Sequence, residues 1–176
     1  MHIGLYPIAA KPYHIGHHMV MQKASKECDK VILIISLLDR ENVSGTDMAI
    51  IWRDHIIQTL PENVSTIFLE SSPVSHVFHI LKLRNEDPLS DYSFTIYGDE
   101  NDIKKYEYDK LSSTCPRLLE SGDINIAGIP RNKTVNISGT EMRNFINKND
   151  FESFKTFIPE EINAQKVFEI LTTFHK

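Results

Sequence analysis

The stretch Lys-Val-Ile-Leu-Ile-Ile-Ser at residues 30–36 places the tightest limit on the fold of this chain. Its five consecutive apolar residues, most of them β-branched, are typical of a strand that is covered on both faces. Strands of this kind occur in parallel sheets with helices packed on either side. The rest of the chain agrees, because strand-like and helix-like segments alternate, which predicts a parallel sheet with right-handed crossover connections.

Apolar spacing and turn residues divide the chain into predicted elements. Strands are expected at residues 2–7, 30–36, 66–69, 93–97 and 124–129. Helices are expected at residues 15–28, 47–60 and 75–83, and amphipathic helical sequence continues from residue 138 to residue 174. Surface loops are expected at residues 85–92 and 128–137. Since there is no repeat or linker, we expect a single domain over residues 1–176, with C-terminal helices from about residue 138.

Charge and composition argue against several classes of function. The net charge of −5 provides no overall positive field, so we expect no nucleic acid and no membrane as partners. The longest apolar run, residues 31–35, is too short to cross a bilayer, and there is no amino-terminal signal pattern. Cys28 and Cys115 form no zinc-type pair and cannot build a disulfide framework. A reducing, cytoplasmic setting is therefore expected.

A cluster of histidines follows the first predicted strand, in Pro-Tyr-His-Ile-Gly-His-His at residues 12–18. His14 and His17 are three residues apart, so they share a face where the backbone is helical. Gly16 lets a ligand approach the backbone between them, and the helix amino terminus offers open N–H groups. Lys11 stands just ahead of the cluster. Together these groups suit an oligophosphate.

Two other interpretations of the cluster stay open on the residues alone. A metal site would need a third ligand, and the His-Glu-x-x-His spacing of metalloproteases is not present. No spacing rule brings in the histidines elsewhere in the chain, so we expect no dedicated metal site. The other alternative is that His14, His17 and His18 are loop or cap residues without a chemical role.

A second candidate anion site is Ile-Ser-Gly-Thr-Glu-Met-Arg at residues 137–143. Ser138 and Glu141 make a capping box, which by itself would only begin a helix. Thr140 and Arg143 are three residues apart and share a face at the same helix amino terminus. A hydroxyl, open N–H groups and a guanidinium therefore converge on one place, where they could bind an anion.

The chain contains an earlier copy of this pattern, Val-Ser-Gly-Thr-Asp-Met-Ala at residues 43–49. It carries Ala49 where the later copy carries Arg143, so it lacks the cation. We expect the earlier copy to cap the helix over residues 47–60, and contact with a ligand is the alternative.

A His-x-Gly-His after the first strand and a late Ile-Ser-x-Thr-x-x-Arg together resemble the nucleotidylyltransferase superfamily of the "HIGH" type. The family includes nicotinamide-nucleotide adenylyltransferase, pantetheine-phosphate adenylyltransferase and glycerol-phosphate cytidylyltransferase. The resemblance covers most of the chain, from residues 11–17 to residues 137–143 and the Phe-Ile-Pro at residues 157–159. It implies a Rossmann-like, doubly wound parallel sheet of the α/β class. It also implies transfer of a nucleotidyl group from a nucleoside triphosphate to a phosphorylated acceptor, with release of pyrophosphate.

The resemblance implies roles for residues of both motifs. His14 and His17 would donate hydrogen bonds to the α-phosphoryl oxygens and to the departing pyrophosphate. Arg143, with Ser138 and Thr140, would hold the β and γ phosphates, and Mg²⁺ would accompany the triphosphate without a carboxylate cage. The remaining expected binding residues lie in the first loop and at the end of the fourth strand: Ala9, Ala10, Lys11, Gly16, Gly98 and Asp99.

The acceptor is the least defined part of the expectation. Adenylyltransferases of the nicotinamide-nucleotide type often carry Gly-x-Phe-x-Pro before the first histidine, whereas residues 8–12 here are Ile-Ala-Ala-Lys-Pro. Trp52 is a candidate for stacking on a flat ring, and Arg53 for binding a phosphate. Packing in the core is the alternative for Trp52, because it lies on a helical stripe of apolar residues. ATP is the expected donor and nicotinamide mononucleotide the expected acceptor.

Other functions stay open at this point. Cytidylyl transfer and adenylyl transfer to pantetheine phosphate use the same motifs. The same contacts to pyrophosphate could also support a reaction in which pyrophosphate leaves a sugar carbon instead of a phosphorus. A non-catalytic nucleotide sensor and a histidine-metal hydrolase are the alternatives of other classes. Aminoacyl-tRNA synthetases share a His-Ile-Gly-His signature, but 176 residues of net negative charge offer neither the length nor the basic surface for tRNA. Because members of the resembled family are often dimers or larger, a homo-oligomer is a further expectation.

Overall fold

The computed structural model of the chain describes residues 1–87, 89, 91–130 and 136–173. Its strands are β1 (His2–Ile8), β2 (Lys30–Ser36), β3 (Val64–Leu69), β4 (Ser93–Asp99) and β5 (Ile124–Ile129). They form one sheet in the order β3-β2-β1-β4-β5, and every neighbouring pair is parallel. The predicted Rossmann-like α/β fold is confirmed.

Helices connect the strands and complete the chain. After β1 and β2 come α1 (Ile15–Glu27) and α2 (Gly45–Ile51), and α2 continues into a π-helical turn (Trp52–Ile56) and a 3-10 turn (Ile57–Thr59). After β3 comes α3 (Pro73–Asn85), and after β4 come a 3-10 turn (Asp102–Lys105), α4 (Tyr108–Thr114) and α5 (Pro116–Glu120). The C-terminal segment contains α6 (Gly139–Asn147), α7 (Phe151–Thr156) and α8 (Ala164–Thr173).

Two hydrophobic clusters lie on opposite faces of the sheet, which makes it doubly wound. Along β1, Tyr6 and Ile8 belong to the cluster shared with α1, α2 and the C-terminal helices. Ile3 and Leu5 alternate with them and belong to the cluster shared with α3, α4 and α5. The chain moves from β1 to one edge of the sheet and then returns to β4, so right-handed crossovers place the two sets of helices on opposite faces.

The reversal of strand order lies between β1 and β4. In doubly wound sheets the ligand binds at this point, outside the carboxyl ends of the strands. The loop after β1 carries the histidine cluster, and β4 ends at Asp99. The fold therefore brings the histidines to the position where this class of sheet binds its ligands.

The observed elements differ from the predicted ones in a few places. The predicted bounds of β2 and β5 coincide with the observed ones. The helix predicted over residues 47–60 begins at Gly45 and changes to π and 3-10 geometry at Trp52. Residues 102–120 carry no predicted helix, yet they form three short ones. Of the segments with predictions, residues 88, 90, 131–135 and 174–176 lie outside the described residues.

Two further features of the structure are the character of its helices and the state of its two cysteines. In the part of the chain that is described, no helix combines the length and the apolar character needed to cross a bilayer. Cys28 and Cys115 are free thiols in the core. Burial raises the pKa of both thiols, so neither is poised as a nucleophile.

Candidate active site

The histidines after β1 form the amino-terminal cap of α1. His14 is the N-cap residue, and its Nδ1 accepts a hydrogen bond from the Gly16 N–H at 3.1 Å. The Nδ1 of His17 accepts from the His14 N–H at 3.3 Å, and the two rings are 3.9 Å apart. A neutral imidazole that accepts at Nδ1 carries its proton on Nε2. Both rings are thus set as Nε2 donors, and two backbone N–H groups that the sequence offered to a ligand are used within the cap.

Tyr13 supports this pair of rings from the core. It is 2% exposed, and its ring lies 5.6 Å from that of His17 at an angle of 17°. Trp52 packs edge-on against Tyr13 at 5.0 Å and is fully buried. Trp52 therefore belongs to the core beneath the histidine loop, which is the alternative that its apolar stripe left open.

Trp52 and Arg53 do not line the cavity that lies at the carboxyl ends of the strands. The indole is enclosed by the core, so its face is not accessible to a ligand ring. The guanidinium of Arg53 is exposed and pairs with the neighbouring Asp54 at 2.6 and 2.7 Å. A helical stripe of apolar residues faces the core rather than the ligand edge of the sheet, which explains the position of Trp52, and Arg53 lies off this stripe on the exposed side.

The second motif forms the cap of α6. The Ser138 hydroxyl accepts from the Glu141 N–H at 3.2 Å, and the Glu141 carboxylate accepts from the Ser138 N–H at 2.9 Å, so the capping box is present. Arg143 is 3% exposed and donates from Nη2 to Thr140 Oγ1 at 3.0 Å. Its Nε and Nη2 also donate to the Glu41 carboxylate, at 2.9 and 3.2 Å. The guanidinium is therefore buried and fixed at the start of α6.

A hydrogen bond joins the two motifs across 132 positions of sequence. Arg143 Nη1 donates to the Lys11 carbonyl at 2.8 Å. Both motifs line one open cavity of about 490 Å³ at the carboxyl ends of the strands. The residues of the two motifs in its wall are His14, Gly16, His17, Ile137, Ser138, Gly139, Thr140 and Arg143. The imidazoles of His14 and His17 and the guanidinium of Arg143 thus lie in the wall of one cavity.

Lys11 places a buried cation in the wall of the same cavity. It is 3% exposed, and its Nζ donates to the carbonyl oxygens of Ser36 and, at 3.2 Å, Ala9. Burial lowers the pKa of Lys11 to about 8, although the carboxylate of Asp39 acts in the opposite direction. Because both hydrogen bonds are to uncharged oxygens, an anion that enters the cavity would find an ammonium group whose hydrogen-bond acceptors carry no charge.

Gly98 and Asp99 end β4 in different roles. Asp99 lines the cavity, and its Oδ1 accepts from the N–H groups of Asn101 and Asp102 at 2.9 and 2.8 Å. Gly98 is absent from the cavity wall. A Cβ at Gly98 would lie 3.2 Å from Cγ2 of Ile103, so this glycine makes room for the turn that follows. The ligand contact expected of Gly98 is thus replaced by a packing role.

The cavity extends beyond the residues that the sequence singled out. The expected Ala9 and Ala10 line it, and so do polar residues at or after the ends of the other strands: Ser36, Arg40, Ser71, Ser72, Asp102, Lys105 and Tyr106. The available signal covers Ser36, Ser71 and Ser72, which lie at or just after the ends of predicted strands, where ligands of parallel sheets bind, whereas Arg40, Asp102, Lys105 and Tyr106 lie further along the loops. Tyr106 is 3% exposed, and its hydroxyl has no hydrogen-bond partner among the described residues.

The earlier copy of the second motif, residues 43–49, has a capping role and does not line the cavity. Ser44 Oγ accepts from the Asp47 N–H at 3.0 Å, and the Gly45 N–H donates to the Asp39 carboxylate at 2.8 Å. A Cβ at Gly45 would lie 1.6 Å from the Leu37 carbonyl oxygen. Backbone and a carboxylate thus fill the space at the start of α2 that the later copy opens to the cavity.

Solved structures of adenylyl-transfer enzymes are similar to this chain over its whole length. A nicotinic acid mononucleotide adenylyltransferase of Plasmodium falciparum complexed with NaAD matches with a TM-score of 0.61 and 18% identity, over 99% of each chain. A putative nicotinate-nucleotide adenylyltransferase from Vibrio parahaemolyticus matches with a TM-score of 0.57 and 17% identity, over 97% of each chain. The chain shares the fold of these proteins.

A third similar structure is larger than this chain. Thermotoga maritima TmcAL bound with alpha-thio ATP matches with a TM-score of 0.53 and 16% identity, over 98% of this chain and 55% of TmcAL. This chain therefore spans little more than half the length of TmcAL. No protein-family model and no curated protein sequence matches the chain. At these identities the likeness confirms the fold that the "HIGH" resemblance implied.

Proposed function

We propose that this protein transfers the adenylyl group of ATP to a phosphorylated nucleotide, giving an NAD-type dinucleotide and pyrophosphate. The observation that carries the proposal is that the two motifs meet on one cavity, joined by the hydrogen bond from Arg143 to the Lys11 carbonyl. The sequence favours nicotinamide mononucleotide as the acceptor. The similar solved structures are of nicotinate-nucleotide enzymes, so both mononucleotides belong to the proposal.

The chemistry needs positioning more than covalent help. An oxygen of the acceptor phosphate attacks the α-phosphorus of ATP, the bond from this phosphorus to the β-bridging oxygen breaks, and pyrophosphate leaves with the electron pair. The acceptor phosphate is already anionic, so no general base is required. His14 and His17, as Nε2 donors, would stabilise the charge on the α-phosphoryl and on the departing pyrophosphate.

The β and γ phosphates would lie at the amino terminus of α6. The Thr140 hydroxyl accepts from Arg143, which leaves its own proton for a phosphate oxygen. The Ser138 hydroxyl donates to the Glu141 carboxylate at 2.9 Å, so its proton is already in use. Ser138 would therefore contribute by holding the helix start in place, while Thr140 and Arg143 would contact the phosphates directly.

The acceptor ring would lie in the half of the cavity between the start of α3 and the turn after β4. Ser71 and Ser72 line the first side, and Lys105 and Tyr106 the second. These groups supply hydroxyls and one ammonium, and Tyr106 offers a buried hydroxyl without a partner among the described residues. A small polar ring with a carboxylate or an amide would satisfy such groups.

Mg²⁺ would arrive with the triphosphate and neutralise part of its charge. Within the described residues there is no group of three or more His, Cys, Asp or Glu side chains that could hold a metal ion. Asp99 and Asp102 line the cavity, and Mg²⁺ is commonly bound by one or two carboxylates together with phosphate and water. Phosphate and water would thus be its main ligands, with Asp99 as a neighbouring carboxylate.

Since both cysteines are free thiols, we further propose a reducing, cytoplasmic setting.

A screen of donors and acceptors tests the proposed function. Purified protein is mixed with ATP or CTP, Mg²⁺ and one acceptor at a time: nicotinate mononucleotide, nicotinamide mononucleotide, pantetheine phosphate or glycerol phosphate. We expect pyrophosphate release with ATP and a mononucleotide, with a product mass equal to that of the joined dinucleotide. Turnover with CTP but not with ATP, or nucleotide binding without turnover on any acceptor, would contradict the proposal.

The affinity for ATP is expected to fall as the pH rises through 8, because Lys11 loses its charge there. With a pKa of about 8, about one tenth of the protein keeps this charge at pH 9, which raises the dissociation constant about tenfold above its value at pH 7. Calorimetric titration with a non-hydrolysable ATP analogue measures this profile. Lys11→Met should bind more weakly at pH 7 and lose the dependence, and an unchanged slope in this variant would count against Lys11 as its source.

Gly16→Ala should reduce activity without reducing stability. A Cβ at Gly16 would lie 2.9 Å from Cε1 and 3.0 Å from Nδ1 of His14, so the imidazole must move by a few tenths of an ångström. We expect kcat to fall about tenfold, because small displacements of a catalytic group are costly. The unfolding temperature should change little, since the preference of a helix for alanine over glycine, about 0.5–1 kcal/mol, offsets the disturbance of the His14 cap. Full activity would show that the ring position does not matter.

A further inference from the structure

The guanidinium of Arg143 has nearly all of its hydrogen-bond donors in use. Nε donates to Glu41, Nη2 donates to Glu41 and Thr140, and Nη1 donates to the Lys11 carbonyl. A guanidinium has five N–H groups, so among the described residues a single N–H, on Nη1, has no acceptor. The direction of this one N–H decides what Arg143 can offer to a phosphate.

Glu41 reaches Arg143 from a strained turn. Arg40 and Val43 exchange two backbone hydrogen bonds, at 2.9 and 3.0 Å, and Glu41 between them has a φ of 52°. A residue with a side chain adopts this left-handed conformation only where its surroundings stabilise it. Asn42 adds a bond from its Nδ2 to the Arg143 carbonyl at 3.4 Å. The turn is thus docked on Arg143 through two neighbouring side chains.

The ion pair determines which edge of the guanidinium faces the cavity. Glu41 occupies the edge formed by Nε and Nη2, which leaves Nη1 against the start of α6. A Cβ at Gly139, the first residue of α6, would lie 3.0 Å from Nη1. We propose that Glu41 is a positioning residue of the nucleotide site, which orients Arg143 so that its remaining N–H faces the β and γ phosphates. This inference rests on the proposed adenylyl transfer.

A carboxylate near a phosphate site could also act in the opposite way, by repelling the phosphates or by occupying their place. The exposure of the two partners decides between these effects. The Glu41 side chain is 59% exposed, whereas that of Arg143 is 3% exposed. Water and salt screen an exposed charge, so repulsion from Glu41 is small. The orientation of the buried guanidinium, by contrast, depends on its partners, so removal of Glu41 should weaken the binding of phosphates.

Binding of pyrophosphate and steady-state kinetics of Glu41→Ala and Glu41→Gln test the inference. In Glu41→Ala we expect the pyrophosphate dissociation constant and the KM for ATP to rise about tenfold, as for the loss of a charge-assisted hydrogen bond. Glu41→Gln can still accept from one N–H, so it should recover part of this loss. The KM for the mononucleotide acceptor should not change in either variant, which separates a change in Arg143 from general damage to the fold.

Asp54→Ala is the matched control, because Asp54 is also a carboxylate that pairs with an arginine, but on the surface away from the cavity. It should keep the wild-type constants. Equal or tighter binding of pyrophosphate by Glu41→Ala would overturn the inference, and so would a parallel rise in the KM for the acceptor. If the wild-type protein binds pyrophosphate but forms no dinucleotide, the proposed function fails. The pyrophosphate dissociation constants of the wild type and the Glu41 variants still decide whether Glu41 positions Arg143.

Discussion

Replacing His17 by alanine is expected to lower kcat by about 10²–10³-fold, as for the loss of one hydrogen-bond donor to a developing negative charge. The Nδ1 of His17 accepts from the backbone at 3.3 Å, which places the proton of the neutral ring on Nε2, and His17 lines the cavity. The KM for ATP should change far less than kcat, because the charge that this donor meets is largest in the transition state. Pyrophosphate release at saturating substrates measures the effect.

Two variants separate this chemistry from helix capping. His14→Ser keeps a capping oxygen at the start of α1 but loses the imidazole, so it should unfold near the wild-type temperature and still lose kcat. His79→Ala, an exposed histidine on α3, should behave as the wild type. Near-normal kcat in both His17→Ala and His14→Ser would show that the cluster is a cap without a chemical role.

Replacing Arg143 is expected to have the second large effect, a fall in kcat/KM for ATP of about 10²-fold or more, since a buried guanidinium at a phosphate site is lost. Most of the change should lie in KM, because the β and γ phosphates are bound before and during the reaction. Arg143→Lys keeps the charge but cannot reproduce the contacts to Glu41, Thr140 and the Lys11 carbonyl, so it should recover little.

The chain provides its own control for this experiment. Thr46 occupies in the earlier Ser-Gly-Thr copy the place that Thr140 occupies in the later copy, but it lies away from the cavity. Thr140→Val should weaken the binding of pyrophosphate, and Thr46→Val should leave it unchanged. Equal effects of the two substitutions, or an Arg143→Ala variant with normal KM for ATP, would contradict the assignment of the phosphates to the start of α6.

The parts of the fold that the sequence predicted are those that depend on local pattern. The continuous apolar run of β2 and the apolar residues of β5 were enough to place both strands. The capping box of Ser138 and the three-residue spacing of Thr140 and Arg143 were likewise enough to predict that a hydroxyl and a guanidinium lie together at the start of a helix. The meeting of the two motifs on one cavity is not a local property, and it was expected only from the family resemblance.

What the sequence did not predict depends on tertiary contacts. The short α4 and α5 are stabilised by packing of Leu111 and Leu118 into the core, because helices of this length are marginal on their own. The apolar stripe that includes Trp52 could not show that the helix changes to π geometry there. Arg40 and Lys105 line the cavity, but a charged residue in a loop has the same sequence signature whether it faces a ligand or only water.

Determining which bond of ATP is broken is the most direct test of the proposed adenylyl transfer. The protein is incubated with Mg²⁺, a nicotinate or nicotinamide mononucleotide, and ATP that carries a radioactive label on either the α or the γ phosphorus. We expect the α label to enter the dinucleotide and the γ label to appear as pyrophosphate. Transfer of the γ label to the acceptor, its release as orthophosphate, or an α label that leaves with the other phosphates would contradict adenylyl transfer.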